Sequence, residues 1–177
     1  MKRLLTIACA CLAAAVIAAV PAAGAKSHKS SSKLSAADEQ YLKTGLSGDL
    51  FEITGGKLAK AKSHNPAVIK LANRLITDHT KSFRDDAKLA GKLGVDVPKS
   101  PLPSMVWELN MVASLRGKAF NHWYSSLEVL DHVQDIQEAS DEVKDGTNSD
   151  VRDSARTEIP TLRQHLALAR AALKASS

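Results

Sequence analysis

From Ser35 to Lys174 the apolar residues recur at intervals of three and four, and only short polar or proline-bearing stretches break the pattern. Such spacing places apolar side chains along one face of an α-helix, and no segment shows the alternation of a half-buried strand. The first helical stretch opens at Ser35, with Asp38 three residues on as an imperfect capping box, and runs to about Ala61. Its inward face reads Tyr41, Leu42, Gly45, Leu46, Asp49, Glu52, Ile53, Gly56 and Ala59. The run SHNPAV then reverses the chain, because Asn65 is a good N-cap and Pro66 a good first helical residue. A second helix follows to Leu93 and stops at Gly94, with Pro98 beyond. Val68, Ala72, Leu75, Ile76, His79, Phe83, Ala87 and Ala90 form its stripe.

The run KSPLPSM interrupts, and Met105 to Ser114 reads as a short connecting helix. Gly117 separates it from a third long helix, Lys118 to Lys144, with the aromatic stripe Phe120, Trp123, Tyr124 and Leu127. After the polar turn DGTNSD a fourth long helix covers Ser149 to Lys174, where Pro160 should kink it or split it. Short links after the first and third long helices force antiparallel neighbours, while the longer second link has room to cross the bundle. The expectation is an all-α domain over residues 35–174: an antiparallel four-helix bundle with a short extra helix between the second and third long ones. Either up-down-up-down or ferritin-like crossover connections satisfy that pattern.

The first 25 residues read as an export signal. Lys2 and Arg3 precede an apolar run from Leu4 to Val20, and Ala23-Gly24-Ala25 offers a cleavage site after Ala25. Residues 26–34, KSHKSSSKL, read as a flexible Ser/Lys-rich spacer. A periplasmic or secreted protein is expected, with no stable membrane insertion once the signal is removed. Both cysteines, Cys9 and Cys11, fall inside the signal. A cysteine-free chain in a compartment that permits disulfides must be held by its core. It has no means of thiolate chemistry, an iron–sulfur cluster or covalent c-type haem attachment. Removing Lys2 and Arg3 from the 24 basic residues leaves 22 against 19 acidic ones, a net charge of +3. These charges are interspersed, and aromatics make up only 4% of the chain, so nothing suggests nucleic-acid binding.

Polar residues inside the apolar stripes carry the functional signal. Glu52, His79, His132 and His165 each fall on a different long helix. With the helices taken as alternately up and down, Glu52 lies about 26 Å up, His79 and His132 about 21 Å, and His165 about 16 Å. One carboxylate and three imidazoles within two turns form a donor set that suits Zn²⁺, Cu²⁺ or Fe²⁺. Asp49, Asp78, Asp131 and Tyr124 are near enough in sequence to orient those ligands or add to them. Against this stands the plainer reading that such histidines are hydrogen-bonded core residues. His132 fits least well, about 80° around its helix from Tyr124. His28, His64 and His122 are expected to face solvent. Ile76, Val129 and Leu162 stand three residues before the central histidines, so there is no Glu-x-x-His pair of the di-iron kind. Nor is there a recognisable nucleophile setting, which leaves enzyme a minority reading.

The stretches DLFEITGGKLA, LITDHTKS, GKAFNHWY, LDHVQD and IPTLRQHLALA resemble, in order and spacing, a family of exported bacterial proteins catalogued as domain-of-unknown-function family 4142. The resemblance spans residues 35–173. It implies a ferritin-like fold and no established activity. By position, Glu52, His79, His132 and His165 match the family's characteristic polar residues, while Asn121 stands where an aspartate is usual. Two functions are therefore expected in competition. One is a metal-binding exported bundle in envelope metal handling or stress protection. The other is a non-catalytic interaction or structural bundle in the same compartment.

Overall fold

Residues 34–176 are described by the computed structural model, and those residues are all-helical. The elements are α1 (Ala36–Lys62), α2 (Pro66–Leu93), α3 (Pro103–Ala113), α4 (Gly117–Asp145) and α5 (Ser149–Ala175). The expected signal, Cys9, Cys11, His28 and nearly all of the spacer lie outside the described residues. Among the described residues no helix is long and apolar enough to cross a membrane.

Local chemistry sets the helix ends. The Ser35 hydroxyl accepts from the Asp38 N–H while the Asp38 carboxylate accepts from the Ser35 N–H, so the capping box is complete. Asn65 and Asn148 cap α2 and α5 through their side-chain oxygens. Gly94 ends α2 at φ 75°, and Gly117 opens α4 at φ 57°, both in the left-handed region that glycine enters without steric cost. Pro160 does not split α5, which runs unbroken from Ser149 to Ala175. Arg156 and Pro160 both face solvent. The carbonyl that loses its helical donor is therefore on the side where water can replace it.

The long helices form a ring in the order α1, α2, α5, α4, so that α2 and α4 are diagonal. Hydrogen bonds at the two ends fix the directions. Lys62 at the end of α1 donates to the Ala113 carbonyl, and Asn65 donates to Ala175. At the other end Thr147 donates to Asp38, and Lys92 pairs with Asp150. Thus α4 runs antiparallel to α1, and α5 runs parallel to it. The link from α2 to α4, which contains α3, travels the length of the bundle and packs on α1 and α4. This is the ferritin-like crossover connection rather than up-down-up-down, so the alternating directions used to set the site's height are corrected for α4 and α5.

Apolar side chains gather at both ends. Val68, Leu71, Leu75, Phe120 and Tyr124 pack with Ala59, Ala169 and Ala172 at one. Leu42, Leu46, Ala90, Val95 and Val151 pack at the other. Trp123 leaves the expected aromatic stripe and is 57% exposed. Gly45, expected inside, is exposed, whereas Gly56 is buried against α2.

These two glycines differ in what a methyl group would meet. A Cβ on Gly56 would lie 2.8 Å from Ile76 Cγ1 and 3.0 Å from the Ala72 carbonyl oxygen, whereas one on Gly45 would meet nothing within 4 Å. Gly56→Ala should lower stability by about 1–3 kcal/mol by pushing α1 from α2. Gly45→Ala should raise it by about 0.5–1 kcal/mol by removing backbone freedom from the unfolded chain. Thermal melts of the two variants should move in opposite directions; equal shifts would refute this account of the α1–α2 contact.

Candidate metal centre

Between the two apolar ends lies a layer of buried polar side chains, supplied by all four long helices. α1 provides Asp49 and Glu52, one turn apart on one face, and α2 provides His79 with Asp78 beside it. α4 provides Tyr124, Glu128 and His132 at four-residue spacing, and α5 provides His165. A helix keeps residues so spaced on a common face, so each sequence stripe delivers its polar member to the same interior layer.

The three histidine rings are mutual neighbours. Ring centroids lie 5.0 Å apart for His79–His165, 5.2 Å for His132–His165 and 5.9 Å for His79–His132. One nitrogen from each comes within 4.8 Å of the others. Each ring is held by one nitrogen only. His79 Nδ1 is 2.8 Å from Asp49 Oδ1, and His165 Nε2 is 2.8 Å from Asp78 Oδ2, which also accepts from Arg74. His132 Nδ1 is 2.8 Å from the Glu128 carbonyl oxygen. A carbonyl only accepts, so His132 carries its proton on Nδ1, and in the neutral ring its lone pair is on Nε2. Nε2 of His79, Nε2 of His132 and Nδ1 of His165 are buried without a hydrogen-bond partner. A carboxylate or carbonyl on one ring nitrogen and a free lone pair on the other is the arrangement that orients metal-ligating histidines.

Electrostatics act in the same direction. Burial lowers the pKa of His79, His132 and His165 to about 4 each, and mutual repulsion adds to the effect at His132 and His165. The rings are therefore neutral, the form that binds cations, well below pH 7. Burial tends to raise Asp78, but hydrogen bonds from His165 and Arg74 outweigh it and keep its carboxyl below the usual value. Burial, reinforced by Asp86, lifts Asp49 well above it.

Glu52 does not join the three-histidine group. It is fully buried and groups instead with Asp131 and His132, its Oε1 lying 3.7 Å from His132 Nδ1. Across from it on α4 is Glu128, also buried. Burial pushes Glu128 up to about 8, and burial together with Glu128 and Asp131 lifts Glu52 well above its ordinary range. His64 and His122 are exposed, as their positions outside the stripes predict. Sequence reasoning missed Glu128, although its signal was there in EVLDH. It stands four residues before His132, and i, i+4 shares a helix face as fully as i, i+3. Asp86, buried on α2, also went unread; it accepts from Ser154, which faces Glu158. A cleft of about 320 Å³ reaches from His79 and His165 to Asp86, Asp135 and Glu158.

A ferritin-like helical bundle whose interior gathers histidines and carboxylates that could hold a metal ion is the class that fold and site define. The chain belongs to DUF4142, a domain of unknown function, whose family profile matches residues 23–172. Among solved structures it is similar to the DUF305 fragment from Deinococcus radiodurans, with a TM-score of 0.70 and 13% sequence identity. That alignment covers 81% of this chain and 99% of the fragment, and it concerns the fold alone. No curated protein sequence matches the chain.

The two kinds of shifted group affect stability in opposite pH ranges. Glu128 has a folded-state pKa of about 8 against 4.5 in the unfolded chain, so its contribution is full below 4.5 and is lost as pH rises through 8. The histidines, depressed from 6.5 to about 4, contribute above 6.5 and lose that contribution as pH falls toward 4. Between pH 6.5 and 8 only the raised carboxyls titrate. In chelator-treated protein, stability should fall across that window by up to about 1.4 kcal/mol per pH unit from Glu128 alone. Glu128→Gln should flatten the slope, and melts at several pH values would show it. An unchanged slope in the variant would assign the titration to other groups.

Proposed function

We propose that this protein is an exported bundle that binds one divalent transition metal, Zn²⁺, Cu²⁺ or Fe²⁺, through His79, His132 and His165, with Glu52 on the Nδ1 side of His132 and outside that ligand set. The observation that carries this reading is the set of three buried, unpartnered ring nitrogens on neighbouring rings, each ring being oriented through its other nitrogen. The three imidazoles leave room for a fourth ligand, and the acidic cleft beside His79 and His165 gives a cation a path to them. Export rests on residues 1–25 as a signal cleaved after Ala25, with 26–34 as a spacer before a domain of 35–174. The role that follows is metal handling or stress protection in the cell envelope. The competing reading, a non-catalytic interaction bundle, draws support from Trp107, Met111, Trp123 and Leu130, apolar side chains at least half exposed on α3 and α4.

Ligands of one ion act as a unit, which gives the test. Protein recovered from periplasm or medium should carry metal, and the chelated form should take up about one equivalent of Zn²⁺ or Cu²⁺. His79→Ala and His165→Ala should each weaken binding by at least about tenfold, and the double variant should add little further. Independent, additive losses would indicate separate surface sites, and no uptake by the unaltered protein would favour the interaction bundle.

The pH dependence differs from that of exposed histidines. Unperturbed rings near pKa 6.5 would compete for protons from pH 6.5 downward. Here burial delays that competition to about pH 4. Affinity should hold between pH 8 and 5 and then fall steeply, with helicity followed by circular dichroism at each point. A decline that begins near pH 6.5 would place the ligands on exposed histidines.

A further inference from the structure

The carboxylates beside His132 are a separate problem from the histidines. Several buried carboxylates in this fold accept from fixed donors. The Asp38 carboxylate accepts from the Ser35 N–H, the Thr147 N–H and the Thr147 hydroxyl, and Asp86 and Glu158 accept from hydroxyls of Ser154 and Tyr41. Neither oxygen of Glu52, nor Glu128 Oε2 nor Asp131 Oδ2, accepts from a backbone amide or other fixed donor; the Glu52 carboxyl instead faces those of Glu128 and Asp131. Glu52 and Glu128 are each 1% exposed. On the same helix the buried Tyr124 hydroxyl faces Glu128, and the Ser125 hydroxyl is buried without a partner. Buried carboxylates left without donors are the groups that ions occupy.

The histidine centre does not account for them. His132 Nδ1 donates to the Glu128 carbonyl, and it lies 3.7 Å from Glu52 Oε1 and 3.9 Å from Glu128 Oε2, beyond hydrogen-bond reach. The lone pair of that ring is on Nε2, and the two ring nitrogens diverge. An ion taken by Nε2 is therefore not the ion that Glu52 faces.

We propose that Glu52, Glu128 and Asp131 form a second cation position, on the Nδ1 side of His132, for a small hard divalent ion. Ligand atoms of Glu52, Asp131 and His132 come within 4.8 Å of one another. Oxygens that flank an ion at about 2.1 Å lie up to about 4.2 Å apart, so a small inward movement closes the site. Its donors are carboxylate oxygens, with the Tyr124 hydroxyl close to Glu128, and oxygen-rich sets favour Mn²⁺ or Mg²⁺ over softer ions. Glu128 reaches the α1 backbone at Gly55: a Cβ there would sit in ordinary contact, 3.6 Å, with Glu128 Oε1 and with Tyr124 Cε2.

The probe is Mn²⁺, added to the chelated full chain at pH 7.5 and followed by calorimetry and by the electron paramagnetic resonance of bound manganese. The unaltered protein should bind one equivalent of Mn²⁺ at this position. His79→Ala should keep that equivalent while losing Zn²⁺, which separates this position from the histidine centre whether or not the latter stands. Glu128→Gln should weaken Mn²⁺ at least tenfold and leave Zn²⁺ uptake in place; Glu52→Gln should behave alike. Circular dichroism of each apo variant establishes that it is folded. No Mn²⁺ uptake by the unaltered protein, or uptake that survives both glutamine variants, would overturn the proposal and leave the carboxyls as a proton-sharing pair bridged by water.

Discussion

Everything unusual about this bundle follows from one constraint: the middle of its core is polar, and among the described residues no lysine or arginine is buried there. Apolar side chains fill the two ends, while Asp49, Glu52, His79, Glu128, His132 and His165 share the layer between them. Ionising such groups away from water is costly, so burial pushes the carboxyls up and the imidazoles down. The layer thereby becomes a set of neutral groups with free lone pairs. A hydrophobic layer of the same volume would be simpler to fold, since burying a polar group without a partner disfavours the folded state. Buried histidines and carboxylates so gathered could hold a metal ion, which would satisfy the groups left without donors.

The fold was legible because helix periodicity and caps are local signals. Ser35, Asn65, Pro66 and Gly94 set their helix ends by side-chain and backbone chemistry within a few residues. Direction was not local. Whether α4 runs up or down beside α1 depends on where a crossover lands, and spacing along the chain says nothing about that. His132 and His165 stay at the level of the middle layer whichever way α4 and α5 run, for a simple reason. His132 lies near the middle of α4 and His165 somewhat past the middle of α5, so reversing the helix shifts His132 by about half a turn and His165 by less than two turns. Trp123 shows the opposite limit. It is as apolar as its neighbours, but periodicity cannot tell the edge of a stripe from its centre, and the residue falls outside.

The candidate site was legible only in part, and what was missed is instructive. A histidine inside an apolar stripe stands out, so His79, His132 and His165 announce themselves. Glu128 does not, because glutamates are common on helices and a search confined to one spacing passes over it. His132 looked peripheral at about 80° from Tyr124, but α4 buries a broad face against both α1 and α5, and both residues fall within it. The separation of Glu52 from the three-histidine group was beyond sequence altogether. It depends on which ring nitrogen of His132 is taken up by a backbone carbonyl one turn earlier.

That carbonyl contact makes His132 the divide between two chemistries. Its Nδ1–H is directed at the α4 backbone, so the free Nε2 belongs to one set of groups and the carboxylates beyond Nδ1 to another. The first set is nitrogen-rich and lies beside an acidic cleft that opens near His79 and His165. The second is oxygen-rich and sealed between α1 and α4, where Leu109 of the crossover helix comes near Gly55. A softer ion and a harder one would each find preferred donors only a ring apart. The structural likeness to the DUF305 fragment, at 13% identity, concerns the fold alone. The chemistry available in that middle layer is therefore set by this chain's own residues.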